Sequence, residues 1–123
     1  AVEAETLEEA RTAGTLGFLS AASAADVNAG AGFRSNVGYF NPNATPVSAT
    51  FTVHGTNGAI LGTKSLTIPG FSFVQQGAFA LVDTVGAADQ TQANFYVTWT
   101  STAPLFVYAA VVDNRTGDSV LVR

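Results

Sequence analysis

One imidazole limits what this chain can do by side-chain chemistry. His54 is the only histidine, and there is no cysteine. A site needing two imidazoles or a thiolate is therefore excluded within one chain. Ser20, Ser23 and Ser101 would each need a His–Asp relay to become nucleophiles. His54 falls on the polar side of an alternating strand, which reads as an exposed strand histidine. Asp26, Asp83 and Asp89 are scattered and define no acid–base pair. The run Asp113-Asn114-Arg115-Thr116-Gly117-Asp118 has oxygen ligands that could meet Ca²⁺. The same residue types make a hairpin turn, with Gly and Asn supplying positive φ, and that reading is preferred. The expectation is no catalytic residues, no metal and no cofactor.

Binding is the other chemistry open to these residues. Tyr39, Tyr96 and Tyr108 are candidates for stacking on sugar rings. Trp99 shares a strand face with Phe95 and Val97, so it reads as core. Asn43-Ala44-Thr45 and Asn114-Arg115-Thr116 are sequons, which makes Asn43 and Asn114 candidate glycosylation sites.

The elements that would hold these residues are strands. Val47, Ala49, Phe51 and Val53 alternate with Ser48, Thr50, Thr52 and His54, the period of a strand with one wet face. Asn57-Gly58 then gives a hairpin signal, and residues 59–68 return. Residues 15–22, 33–40 and 71–76, two long runs on either side of Ala103-Pro104, and a short 119–122 complete the set, with a helical turn near 81–85. Short strands with frequent turn signals predict an all-β, antiparallel sandwich, immunoglobulin-like or jelly-roll-like, of seven or eight strands. Residues 1–14 carry four of the nine acidic residues and no aromatic. They read as a short helix or acidic N-terminal arm, ahead of a sandwich domain over 15–123. Phe51, Val53, Phe95, Val97, Trp99, Val107 and Val111 should form the core.

Composition sets the address and the excluded partners. Charged residues are 11%, net charge is −4, and only five are Lys or Arg, so no basic face exists for nucleic acid. No run of about 18 apolar residues exists to span a bilayer as a helix. A chain opening on Ala1, without methionine and rich in uncharged polar residues, reads as a mature secreted protein after signal-peptide cleavage.

The order Gly17-Phe18-Leu19-Ser20-Ala21-Ala22-Ser23, then Phe33-Arg34-Ser35 to Phe40-Asn41-Pro42, then Gly58 to Lys64, then Val111 to Asp118 resembles a bacterial extracellular β-sandwich module. The match covers about residues 17–122. The resemblance implies a sandwich, secretion and a non-catalytic accessory role, usually as an appended or tandem domain.

The leading functional expectation follows from edges. Unpaired strand edges invite another chain, and the sequence holds a single Lys to blunt them. The flat, uncharged segment with Leu16, Phe18, Leu19, Ala21 and Ala22 is expected to leave its own body and add to a neighbour's sheet. That makes a secreted, pilus-like filament subunit, a homopolymer held by strand addition. The alternative is a carbohydrate- or cell-wall-binding accessory module, with glycans or cell-surface polymers as partners.

Overall fold

The computed structural model describes residues 10–22 and 29–122. Seven strands are present among them: β1 (Arg11–Ala21), β2 (Phe33–Phe40), β3 (Val47–His54), β4 (Ile60–Ile68), β5 (Phe73–Gly77), β6 (Gln92–Asp113) and β7 (Ser119–Val122). A short helix α1 (Ala78–Leu81) and a 3₁₀ turn (Ala87–Asp89) lie between β5 and β6. All pairings are antiparallel.

β6 organises the molecule. Its first half lies between β3 and β1, giving a sheet of order β4-β3-β6-β1. Its second half lies between β2 and β7, giving β5-β2-β6-β7. Pairing with β3 ends at Ala49↔Ser101, and pairing with β2 begins at Phe40↔Phe106. The residues between hold Pro104, which cannot donate to a ladder, so the strand bends there and changes sheets. The Ala103-Pro104 break read from the sequence is this corner. The fold is an antiparallel β-sandwich curled into a half-barrel.

The inner faces meet in one core. Phe51 of β3 and Tyr39 of β2 bring ring centroids to 5.7 Å across it. Phe51, Val53, Phe95, Val97, Trp99 and Val107 are buried, and Val111 packs partly buried against them. Ala78 and Leu81 of α1 add to the same core.

The N-terminal strand corrects the donor-strand expectation. Leu16 and Leu19 are 1% and 0% exposed, inside their own chain, opposite Val97 and Phe95 of β6. Ala21 pairs Gln92, and the Ala22 N–H donates to the Phe33 carbonyl. Plain alternation from Leu16 would turn Leu19 outward. Instead Gly17 and Phe18 together oppose Tyr96, a β-bulge that shifts the phase and turns Leu19 inward. The side chain of Phe18 lies outside the described residues. A strand whose leucines fill its home core has nothing left to donate. β1 also starts at Arg11, four residues before the expected start of the body; residues 1–9 of the expected arm lie outside the described residues.

The edges of the β4-β3-β6-β1 sheet are tied down as well. The Ser35 hydroxyl accepts from the Ser20 N–H at 3.0 Å and donates to the Ser20 carbonyl at 2.7 Å, tying β1 to β2. At β4, the Thr84 hydroxyl accepts from Thr63 N–H and donates to its carbonyl. Lys64, the single Lys, lies on this edge strand and pairs with Asp83 at 3.3 Å. A charge on an edge is a common guard against strand addition.

Candidate functional site

The two outer faces of the sandwich differ in kind. On the β4-β3-β6-β1 sheet, one row runs Thr63–Thr52–Thr98–Thr15 and the next Ser65–Thr50–Thr100. Hydroxyls bond one another, Thr50 to Ser65 at 2.9 Å and Thr63 to Thr52 at 3.4 Å. This is the wet face that alternation in β3 predicts.

On the β5-β2-β6-β7 sheet the outward row at one end is Phe73–Phe40–Phe106. The next is Gln75–Gly38–Tyr108, then Gly77–Asn36–Ala110–Leu121. Phe73 is 58% exposed, and Phe40 and Phe106 are half-buried. The Phe40 and Phe106 rings stack at 6.1 Å, and those of Phe73 and Tyr108 at 6.4 Å. Tyr108 lies flat on Gly38, where a Cβ would collide with its ring, and its hydroxyl donates to Gln75 Oε1. Burial pushes the Tyr108 hydroxyl above its ordinary pKa. Glycine at position 38 is what lets an aromatic ring lie down on the sheet.

A polar network braces the end of this face. The Asn41 side chain is fully buried. Its Nδ2 donates to the carbonyls of Thr45, Ile68 and Pro69 at 3.0–3.2 Å, and its Oδ1 accepts from the Asn43 N–H and Nδ2 at 2.9 Å. Asn43 Nδ2 also reaches the Pro104 carbonyl at the β6 corner. The turn it supports holds Phe71 at φ +56° and 65% exposed. A non-glycine residue there is strained, and such strain persists only where the surroundings enforce it. Here Gly70 packs on the Ala44 carbonyl, Phe71 N–H donates to Asn43, and Asn41 N–H donates to Ser72.

The residues expected to stack on sugars do not converge. Tyr39 is buried in the core against Phe51. Tyr108 is buried on the outer face just described. Tyr96 sits on the hydroxyl face, parallel to His54 at 4.4 Å, with His54 Nε2 2.9 Å from Thr98 Oγ1. Three rings on three surfaces make no common sugar platform. Asn43 is spent in the Asn41 network, and Asn114 Nδ2 donates to Ala31 while its Oδ1 accepts from Arg34. The 113–118 segment is a self-bonded hairpin: Gly117, at φ +79°, donates to the Asp113 carbonyl, and Arg115 N–H donates to Asp113 Oδ1. Among the described residues no three His, Asp or Glu side chains gather as a metal site, and no helix is long and apolar enough to cross a membrane. Asp26 and Ser23 lie outside the described residues. Phe40, Phe71 and Phe73 escaped the sequence reading; the signal was Phe at 71 and 73 just after a Pro-Gly turn.

No family model and no curated protein matches this sequence. Among solved structures, the chain is similar to the Anabaena sensory rhodopsin transducer, with a TM-score of 0.65 at 15% identity over 81% of this chain and 87% of that one. It is equally similar to a Thermotoga maritima protein, 1070, with a TM-score of 0.65 at 8% identity over 92% of this chain and 90% of that one. Neither is named as a fibre subunit or a secreted protein. With Leu16 and Leu19 locked at home, these likenesses overturn the expected secreted, extracellular filament subunit. At such identities the likeness establishes the fold: the chain shares the sandwich of these two proteins.

Proposed function

We propose that this chain is a non-catalytic binding domain that engages a protein partner through the outer face of its β5-β2-β6-β7 sheet. The observation that carries the reading is the contrast between the two outer faces. One is covered by hydroxyls; the other sets Phe73, Phe40, Phe106 and Leu121 where an ordinary solvated sheet would set polar residues. Contiguous exposed aromatics on a soluble domain mark interaction sites. The strained, exposed Phe71 beside the same strand end, fixed by Asn41, fits a surface kept rigid for recognition. The transducer of similar fold is by its name a protein that works with another, which agrees with a binding role.

A photo-reactive benzoylphenylalanine at position 73 tests this in the native host. Adducts should form from position 73 and not from position 50, on the hydroxyl face. Equal labelling from both positions, or none from position 73, overturns the reading.

A further inference from the structure

We infer that the occupant of the aromatic face is a second copy of this chain, seated face to face in a closed two-fold pair. This rests on the binding role given to that face above.

Shape is the first support. The face is a sheet surface with ridges of stacked rings, and sheets stack on one another at about 10 Å with their strands nearly aligned. A two-fold axis running along β2 sets Phe40 against Phe40 of the second copy. The same rotation carries β5 over β6, so Phe73 meets Phe106 of the second copy. The whole aromatic row is then self-complementary, as an isologous contact requires.

Charge is the second. Two copies of a chain with net charge −4 repel least when they meet through a surface free of acid. Among the described residues this face presents no Asp or Glu. Its one charged side chain, Arg34, lies six residues along β2 from Phe40, roughly 20 Å away at a strand rise of about 3.4 Å. That places Arg34 at the rim, where it donates to Asn114.

Size is the third. Three to four strands about 4.8 Å apart, along eight residues of β2, present roughly 400–500 Å² of plane per copy. The pair would bury roughly 1,000 Å², the lower bound for a specific interface, so the dimer should be weak and reversible. The contact closes on itself, so it ends at two copies.

Sedimentation velocity on the full chain, from low micromolar to near-millimolar concentration, reads the result. The wild type should pass reversibly from monomer to dimer. Phe73→Ser and Phe106→Ser should stay monomeric with the far-UV spectrum unchanged, whereas Thr50→Ala on the opposite face should dimerise normally. A wild type that stays monomeric throughout, or a dimer that survives both Phe substitutions, overturns the pair. Cross-linking from position 73 separates the two claims. Adducts of twice the monomer mass support the pair. Adducts to a different protein overturn it and leave the binding face standing. No adducts overturn both.

Discussion

Gly38 and Tyr108 show how far one missing side chain shapes a surface. A Cβ at position 38 would occupy space held by the Tyr108 ring. Gly38→Ala should cost about 1–3 kcal/mol by chemical denaturation, and should cost much less in a Tyr108→Ala background, because the collision is then gone. Titration gives a second check at this scale. Desolvation raises the hydroxyls of both Tyr39 and Tyr108 above 10.0. In the unfolded chain they ionise near 10.0, and in the folded chain only above it. Their contribution to stability is therefore whole below pH 10 and falls as pH rises through the folded values. The melting temperature should drop on that alkaline limb, and Tyr39→Phe and Tyr108→Phe should each make the drop shallower. Phe71 makes the opposite case, a residue whose own backbone is unfavourable. Left-handed geometry costs a non-glycine residue about 1–2 kcal/mol, and glycine returns part of that as unfolded-chain entropy. Phe71→Gly should hold or raise stability by up to about 1 kcal/mol.

At the scale of elements, β1 carries the lesson about reading. Its apolar residues announce a strand, and 15–22 falls within or beside the observed Arg11–Ala21. Its phase was not legible, because a bulge leaves no compositional mark beyond a permissive Gly17. Removing Gly17 should leave Phe18 alone opposite Tyr96 and Leu19 still opposite Phe95, a plain alternation that keeps both leucines inward, so stability should change by no more than about 1 kcal/mol. A variant lacking Gly17 that loses about 2–5 kcal/mol, the cost of emptying a buried leucine site, would mean the bulge does not set the phase. The alternation in β3 was legible because both its neighbours pair in register and one of its faces is wet. Phe40-Asn41-Pro42 looked like a strand stop. Only the fold shows Asn41 bonding residues 27 and 28 positions away. Asn41→Ala should lose at least about 3 kcal/mol, since several buried backbone groups lose their partner together.

For the molecule as a whole, the sequence made the class of fold and most of the core legible, through period-two patterning and Pro and Gly punctuation. The site was not legible, since an aromatic on an outer face and one on an inner face look alike until the sheets are known. Phe106 and Val107 sit side by side in sequence and face opposite ways. Assembly was misread for a related reason: the hydroxyls of Ser35 and Thr84 that tie down β1 and β4 come from other segments of the chain. Deleting residues 10–22 should abolish cooperative unfolding outright, because Leu16 and Leu19 leave the core with them. A truncated body that still melts cooperatively would refute their place there.

β6 has one further consequence, in time rather than space. It is the strand that joins both sheets, yet it begins only at Gln92 of 123 residues, and neither sheet can close without it: among the described residues β1 pairs with β6 alone, and β3 and β2 each lack one neighbour until it arrives. A ribosome that has delivered the chain only as far as the 3₁₀ turn has released two separate strand pairs, β3 with β4 and β2 with β5, with no common wall. Long-range strand pairing is slow and leaves apolar surface open while it waits. The nascent chain must therefore hold its aromatic residues unpaired until its last quarter emerges, and chaperone demand in the cell should track the length of that delay.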